Sequence, residues 1–350
     1  MIRRILLIAA APVVAVLAVG PVVDRLARRL AAAPRTLLEE AGMAPALDAL
    51  GGEVVRLRSR DGLRLTGRWL AAERTAAGSS PAGAPAAAGD VHAGAEMGDD
   101  AAWVPDPREA ILLLHGYNGS VTPDLVELGP FLRQTAGVLG LDFRGHGGSD
   151  DAPTTFGLLE VEDVAGALAF LGERGVRRVA LVGSSMGGIT AIAAVAVLGD
   201  GRLAAADKDP TAPAATVEAP RPQVVAVVAD SVTPELSIVV AQRARVPLGR
   251  LVAGRAFARL AKRIGGDPRD TEPIAVIGLL EDVPLLLIHG DQDGTVPIRD
   301  ARRLAAAAPE GTRHLVIEGA DHGRGHAVAP GLYEAAVTRL LREAFSRQRS

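Results

Sequence analysis

A serine in a glycine-flanked turn is the residue of this sequence best suited to nucleophilic chemistry. Residues 183–187 read Gly-Ser-Ser-Met-Gly, which places Ser185 at the centre of a Gly-x-Ser-x-Gly pattern. An apolar run precedes the pattern and a small-residue apolar segment follows it, so we predict a buried strand, a tight turn and a helix. Free N–H groups at the start of that helix can stabilise a negatively charged oxygen near Ser185. The motif alone is weak evidence, because glycine-rich turns that contain serine also arise by chance.

A serine hydroxyl needs a base to remove its proton, and the base needs a carboxylate to orient it. The sequence supplies both groups after later apolar runs, as Asp293 and His322. Ser185, Asp293 and His322 follow the serine, acid, histidine order of one known kind of triad, and each comes after a predicted strand. The pattern therefore predicts a Ser-His-Asp triad.

Other residues are candidates for the acid and the base. Asp291 lies just before Asp293, and Asp230 follows another apolar run, so either is an alternative acid. His326 lies close after His322 and is an alternative base. The order of residues along the chain leaves these alternatives open.

The elements that must position these residues follow from the hydrophobic pattern. Continuous apolar runs, typical of parallel strands buried on both faces, lie at 110–114, 138–141, 179–182, 224–229, 284–288 and 314–317. Helical segments alternate with them at 130–136, 161–171, 189–198, 297–307 and 332–345. This alternation predicts an α/β fold with a doubly wound, mostly parallel sheet. In such sheets functional groups collect beyond the carboxyl ends of the strands, where the three candidate residues lie.

Other segments complete the expected main domain, residues 50–350. Residues 53–57 and 63–70 alternate apolar and polar side chains around Arg60-Asp61-Gly62, which predicts a β-hairpin at the edge of the sheet. Residues 71–107 are rich in Ala, Gly, Ser and Pro, and residues 200–222 contain several prolines. We predict disordered, low-complexity insertions at both places.

An uncharged apolar run lies near the N-terminus. As a helix with a rise of about 1.5 Å per residue, residues 5–23 would span roughly 28 Å, close to the hydrocarbon core of a bilayer. A cleaved signal peptide is the alternative, with Ala18 and Gly20 as the small residues, but Pro21 would then follow the cut. We expect residues 1–35 to form a single-pass membrane anchor and a juxtamembrane segment. Arginines flank both sides of the run, so its orientation is not predicted.

Composition narrows the possible functions. The chain has 350 residues, a formal net charge of −3 and no cysteine. Scattered arginines at this net charge form no basic patch, so we do not expect nucleic-acid binding. The lack of cysteine excludes disulfides, thiolate zinc sites and a cysteine nucleophile. Because the sequence has no phosphate loop, dinucleotide fingerprint or His-Glu-x-x-His motif, we expect no cofactor and no metal.

Several motifs, taken in order, resemble those of the α/β-hydrolase fold family. They are Asp61-Gly62, His115-Gly116, residues 142–149, residues 183–187, His289-Gly290-x-x-Asp293-x-x-Val296-Pro297 and Gly319-x-Asp321-His322. The resemblance runs from about residue 53 to the end of the sequence, leaving out the two insertions, and it is strongest to the branch of small-lid esterases and serine-aminopeptidase-like acyl hydrolases. The resemblance implies Ser185 as nucleophile, Asp293 as acid and His322 as base.

The resemblance also implies the surroundings of the nucleophile. The backbone N–H groups of Met186 and Tyr117 would form the oxyanion hole. Asn118 is an alternative to Tyr117, because the loop after His115-Gly116 varies in length within the family. Residues at about 232–280 lie where the fold inserts a lid, and their number suits only a small lid. His115 is expected to shape the oxyanion loop.

The sequence thus indicates a membrane-anchored serine hydrolase that cleaves a carboxylic ester, thioester or amide in a small-molecule or lipid-like acyl substrate. A serine aminopeptidase is one alternative, and it would need acidic lid residues such as Glu235 or Asp267 to bind a free amine. A non-catalytic binding protein with the hydrolase fold is another, although an intact triad argues against it. The sequence does not predict the oligomeric state.

Overall fold

A mixed sheet forms the centre of the molecule. The computed structural model describes residues 23–25, 27–28, 31–32, 37–73, 103–117, 119–199, 221–239 and 249–347. Its strands are β1 (Glu53–Arg58), β2 (Arg64–Leu70), β3 (Glu109–Leu114), β4 (Gly137–Leu141), β5 (Arg178–Ser184), β6 (Gln223–Asp230), β7 (Leu285–Gly290) and β8 (Arg313–Ile317). The described strands form one eight-stranded sheet in the order β1-β2-β4-β3-β5-β6-β7-β8. The pairs β1–β2 and β2–β4 are antiparallel, and the remaining pairs are parallel.

Helices cover both faces of this sheet. They are α1 (Leu37–Ala49), α2 (Thr122–Leu132), α3 (Glu160–Glu173), α4 (Met186–Gly199), α5 (Gly249–Ile264), α6 (Pro273–Val276), α7 (Ile298–Ala307), α8 (Gly325–Val328) and α9 (Pro330–Ser346). One hydrophobic cluster joins α3 and α4 to the sheet, and a second joins α2 and α9 to it. Along β3, Leu112 belongs to the first cluster, whereas Ile111 and Leu113 belong to the second. Side chains alternate between the faces of a strand, so residues 110–114 of β3 are all apolar because both faces of the strand are covered.

The structure confirms the predicted α/β fold with a doubly wound, mostly parallel sheet. A strand is present at each of the predicted apolar runs, and the predicted hairpin is formed by β1 and β2. The predicted helix at 130–136 is wrong in position, because α2 begins at Thr122 and ends at Leu132. Proline favours the first turn of a helix, and Pro123 rather than Pro130 marks that turn here.

Several predicted segments lie outside the described residues. They are the N-terminal run up to residue 22, most of both insertions (74–102 and 200–220) and residues 240–248 of the expected lid. The end of the first insertion belongs to the folded domain, since Trp103 Nε1 donates a hydrogen bond to Thr135 O at 2.8 Å. Within the described ranges, no helix has both the length and the apolar character to cross a bilayer.

A buried arginine connects the hairpin to the sheet and to α3. The Arg144 side chain is 2% exposed, and its Nη2 lies 2.7 Å from Asp163 Oδ1. Its Nη1 donates a hydrogen bond to Asp61 Oδ2, in the turn between β1 and β2, at 2.9 Å. Burial opposes the charged form, but the hydrogen bonds and charges of both carboxylates raise the pKa of Arg144 above its ordinary value. The guanidinium therefore stays charged inside the protein.

We expect Arg144→Leu to lower the free energy of unfolding by about 3–5 kcal/mol, because it leaves the Asp163 carboxylate buried without its partner. The double variant Arg144→Leu/Asp163→Leu should lose less, since no unpaired charge then stays buried. Urea unfolding of the two variants beside the wild type measures both changes. A double variant less stable than the single one would contradict this explanation.

Candidate active site

Ser185 lies in a very short turn between strand and helix. β5 ends at Ser184 and α4 begins at Met186. The φ angle of Ser185 is +50°, in the left-handed region, where a non-glycine residue costs about 1–3 kcal/mol. Two backbone hydrogen bonds hold this conformation, from Ser185 N to Asp230 O at 2.8 Å and from Ile189 N to Ser185 O at 3.0 Å. The strain is therefore maintained by the surrounding structure, as is typical of functional turns.

Two glycines allow the turn to form. A Cβ atom on Gly187 would lie 2.0 Å from Leu114 O, and one on Gly183 would lie 2.4 Å from Gly187 O. Both distances are far shorter than van der Waals contact, so any side chain would displace the turn or β3. Gly183 and Gly187 are needed because backbone segments approach closely here.

The structure brings Ser185, His322 and Asp293 into one hydrogen-bonded chain. His322 Nε2 lies 3.0 Å from Ser185 Oγ, and His322 Nδ1 lies 2.7 Å from Asp293 Oδ2. An ionised carboxylate only accepts hydrogen bonds, so Nδ1 carries the hydrogen and Nε2 presents its lone pair to the Ser185 hydroxyl. The Asp293 side chain is fully buried, whereas that of His322 is 18% exposed. This arrangement is suited to taking a proton from Ser185.

The two oxygens of Asp293 have different partners. Oδ1 accepts hydrogen bonds from the N–H groups of Thr295 at 2.8 Å and Val296 at 2.7 Å. Oδ2 faces His322 and also lies 3.4 Å from His289 Nε2. Because backbone donors occupy Oδ1, it is Oδ2 that orients the imidazole of His322.

Two backbone segments lie beside Ser185. Met186 is the first residue of α4, where an N–H group has no acceptor within the helix. The loop after β3 also passes close, because a Cβ atom on Gly116 would lie 3.5 Å from Ser185 Cβ. Tyr117 follows Gly116 directly, so both predicted oxyanion donors belong to segments beside the serine. Asn118, the alternative donor, lies outside the described residues.

His115 holds the start of the loop after β3. Its Nε2 accepts a hydrogen bond from Phe143 N at 3.1 Å, and its Nδ1 lies 2.6 Å from Gly116 O. Burial, helped by the neighbouring His146, lowers the pKa of His115 to about 3. The ring is therefore neutral at physiological pH, with its hydrogen on Nδ1, and these contacts agree with the expected role in shaping the loop.

The buried neutral His115 should make the protein less stable in acid. Below its unfolded pKa of about 6.5, the unfolded chain takes up a proton that the folded protein does not, so stability falls as the pH falls. His115 adds at most about 1.4 kcal/mol per pH unit to the slope of the free energy of unfolding against pH, and this contribution ends at its folded pKa. Urea unfolding of wild type and His115→Gln between about pH 4 and 6 measures the slope, which we expect to be shallower in the variant.

His326→Gln is the matched control for this pH dependence. Its hydrogen bond to Glu127, opposed by burial and helped by Glu334, raises the pKa of His326. The stability that this raised pKa of His326 contributes is fully present below about pH 6.5 and is lost as the pH rises through the folded pKa. In the control Glu127 loses the hydrogen bond that lowers its pKa, so the wild-type slope should be kept between about pH 5 and 6, above the range in which Glu127 titrates. An unchanged slope in His115→Gln would contradict the assignment.

The alternative acids have other partners. Asp291 Oδ1 accepts a hydrogen bond from Gly319 N at 2.7 Å. Asp230 Oδ1 accepts a hydrogen bond from the Ser231 hydroxyl at 2.8 Å. The carboxylate hydrogen-bonded to His322 is that of Asp293.

The alternative base also lies in other contacts. His326 Nδ1 is 3.1 Å from Glu127 Oε1, and its Nε2 is 2.9 Å from Glu334 Oε1. Both ring nitrogens thus face carboxylates of α2 and α9, and the imidazole that reaches Ser185 Oγ is that of His322.

Comparison with known proteins assigns the family. A model of the alpha/beta hydrolase family matches residues 111–336, which is more than half of the chain. The chain belongs to the alpha/beta hydrolase family. A search of curated proteins found no match.

Solved structures with this fold include several hydrolases. An esterase from Pyrococcus furiosus aligns with a TM-score of 0.58 and 20% identity, over 90% of this chain and 98% of that one. A hydrolase from Pseudomonas aeruginosa aligns with a TM-score of 0.51 and 20% identity, over 83% and 99% of the two chains. A membrane phospholipase A, described as a bacterial virulence factor, aligns with a TM-score of 0.52 and 16% identity, over 98% and 99%. At these identities the similarity concerns the α/β-hydrolase fold.

The site of this α/β-hydrolase also contains two residues for which the sequence predicted no role, although His289 belongs to one of the motifs named above. Ser231 has a φ of +55° and accepts a hydrogen bond from Gly323 N, directly after His322, at 2.9 Å. His289 lies beside Asp293, as described above. The one sequence signal for Ser231 was its place just after a predicted strand. In the described part of the chain, no three His, Asp or Glu side chains are arranged to hold a metal ion.

Proposed function

We propose that this α/β-hydrolase is a serine hydrolase that cleaves carboxylic esters of small-molecule or lipid-like acyl substrates. The observation that carries the proposal is the chain from Ser185 Oγ to His322 Nε2 at 3.0 Å and from His322 Nδ1 to Asp293 Oδ2 at 2.7 Å. The strained turn that presents Ser185 adds support, because such strain is typical of sites that hold a reactive group in place.

In the proposed reaction the Ser185 hydroxyl attacks the carbonyl carbon of the ester. His322 Nε2 takes the hydroxyl proton and then delivers it to the leaving alcohol, which leaves an acyl group on Ser185. Water, deprotonated by the same nitrogen, attacks the acyl-enzyme and releases the acid. Asp293 keeps the Nδ1–H tautomer of His322 and stabilises the imidazolium that forms in each half of the reaction.

Negative charge develops on the carbonyl oxygen in both steps. We propose that the backbone N–H groups of Met186 and Tyr117 bind this oxygen, at the start of α4 and in the loop after β3. The aligned peptide dipoles of α4 have their positive end beside Ser185 and add to the stabilisation.

The acidic residues of the expected lid favour ester hydrolysis over aminopeptidase activity. A free amine would need a carboxylate to receive it. Glu235 Oε1 lies 2.6 Å from Arg303 Nη2, and Asp267 Oδ1 lies 2.9 Å from Arg269 Nε. Both candidate amine-binding carboxylates are thus already paired with arginines, which does not favour the binding of a free amine. Two of the similar solved structures are an esterase and a phospholipase A, which also favours ester substrates.

We further propose that the N-terminal run attaches the protein to a membrane. The support is the length and apolar character of residues 5–23. A hydrolase held at a bilayer meets lipid-like substrates at high local concentration, which agrees with an acyl substrate.

The experiment that tests this function is labelling with a fluorophosphonate, which reacts covalently with activated serines. We expect the wild type to be labelled and Ser185→Ala to remain unlabelled, with the labelled protein in the membrane fraction. Equal labelling of Ser185→Ala would exclude Ser185 as the nucleophile. A folded wild type that is not labelled would contradict the proposed function and favour a binding protein. Label in the soluble fraction would contradict the membrane attachment alone.

A further inference from the structure

The dipeptide Asp230-Ser231 at the end of β6 contacts all three segments that carry the triad. Asp230 O accepts the hydrogen bond from Ser185 N at 2.8 Å. Ser231 N donates to Ile288 O at 2.9 Å, on the strand that leads to Asp293. Ser231 Oγ accepts from Gly323 N, directly after His322, at 2.9 Å. One short segment is therefore hydrogen-bonded to the nucleophile, to the acid strand and to the histidine loop.

The Ser231 hydroxyl is completely enclosed, and its hydrogen bonds have a fixed direction. The residue is 1% exposed. Its Oγ donates to Asp230 Oδ1 at 2.8 Å, so its hydrogen is used there and a lone pair is left for Gly323 N–H. A hydroxyl can donate and accept at the same time, whereas an aliphatic side chain can do neither. The interaction with the histidine loop thus depends on Asp230 as acceptor.

Asp230 is itself held in place from the other side. The carboxylate is buried and is hydrogen-bonded by the Tyr333 hydroxyl of α9. Burial raises the pKa of Asp230, while its hydrogen bonds to Ser231 and Tyr333 oppose the rise. The chain Tyr333–Asp230–Ser231–Gly323 therefore connects a long helix with the loop that carries His322.

From these contacts we infer that Ser231, supported by Asp230, is a positioning residue for the proposed reaction. Its hydroxyl holds the loop that carries His322 in the position where the imidazole reaches both Ser185 and Asp293. The inference rests on the proposed function. Ser231 acts through the loop and does not exchange protons with substrate, because its own hydrogen is bonded to Asp230. Ser231 also has a φ of +55°, a backbone angle that is strained for a non-glycine residue and is typical of functional sites.

The test compares Ser231→Ala and Ser231→Gly with the wild type in fluorophosphonate labelling. Both variants lose the hydroxyl, but glycine also removes the strain of the positive φ. We expect the limiting labelling rate to fall about 10- to 100-fold in both variants, because a small misplacement of the reacting groups has an effect of this size. The probe concentration that gives half of the limiting rate should not change. Thr233→Ala is the matched control, since its buried hydroxyl bonds within its own loop, to Glu235 O at 2.8 Å. It should label at the wild-type rate.

A second pair of variants tests the role of Asp230. Asp230→Asn keeps an oxygen that accepts from Ser231 and should keep most of the labelling rate. Asp230→Leu removes the acceptor, so its labelling rate should fall to that of Ser231→Ala. Thermal unfolding of every variant identifies those that lose activity through unfolding, and only folded variants enter the comparison.

The outcomes separate this inference from the proposed function. If the wild type is not labelled, the proposed function itself is overturned. Wild-type labelling with an equal rate in Ser231→Ala would overturn only the role of Ser231. A Ser231→Gly variant as fast as wild type would show that backbone geometry, not the hydroxyl, positions the loop. Equal losses in Asp230→Asn and Asp230→Leu would mean that charge rather than the hydrogen bond matters.

Discussion

Ser185→Ala and His322→Ala are each expected to lower kcat for an ester such as 4-nitrophenyl butyrate by about a million-fold, and the double variant should be no slower. The reason is that Ser185 Oγ and His322 Nε2, which are 3.0 Å apart, act as one unit in the proposed reaction. Without His322 the hydroxyl keeps its proton, and without Ser185 the imidazole has no nucleophile to activate. Removing the second group therefore costs nothing more. Steady-state kinetics of the three variants measures this non-additivity.

Two neighbouring residues provide controls. Ser184→Ala changes the adjacent serine at the end of β5 and should leave kcat within a few-fold of wild type. His326→Gln removes the alternative base, whose ring nitrogens face Glu127 and Glu334. It should also remain active. A large loss in His326→Gln with only a small loss in His322→Ala would reverse the assignment of the base.

Asp293→Asn is expected to lower kcat by about ten-thousand-fold, because it imposes the wrong histidine tautomer. The N–H groups of Thr295 and Val296 occupy Oδ1, so the amide oxygen of an asparagine must take that position. The amide NH₂ then faces His322 Nδ1 and makes it an acceptor. The imidazole hydrogen moves to Nε2, which can no longer take the proton of Ser185. Asparagine is nearly the same size as aspartate, so the fold should be retained.

Asp291→Asn is the matched control for this prediction. Asp291 accepts a hydrogen bond from Gly319 N, and an amide oxygen can do the same. Its kcat should remain close to wild type, measured with the same ester and at the same pH. A loss in Asp291→Asn that equals the loss in Asp293→Asn would contradict the choice of acid.

Much of the fold could be predicted because its signals are local. β3, β5 and β7 each contain a continuous apolar run, because side chains on both faces of these strands are buried under helices. The turn at Ser185 was recognisable because close backbone approach leaves glycine as the only option at Gly183 and Gly187. The start of α2 was misplaced because the sequence offers two prolines, and Pro130, which lies inside the helix, resembles a first-turn proline as much as Pro123 does.

The site was predictable in part for a similar reason. Parallel strands bring their carboxyl ends to one edge, so residues after β5, β7 and β8 had to lie near one another. Ser185, Asp293 and His322 share this edge, but Asp230 and Asp291 share it equally well. Order along the chain does not determine which carboxylate points at the imidazole.

By itself, the amino-acid sequence determined an α/β fold with a mostly parallel sheet and a tight serine turn. Those features depend on periodicity and on glycine, which act over a few residues. Only the tertiary structure decided that Asp293 Oδ2 meets His322, that Asp230 instead bonds Ser231, and that Ser231 holds the histidine loop. These contacts join residues far apart in the chain, and they depend on distances and hydrogen-bond directions within a few tenths of an ångström. Such distances arise when the helices pack on the sheet, and no spacing in the sequence encodes them.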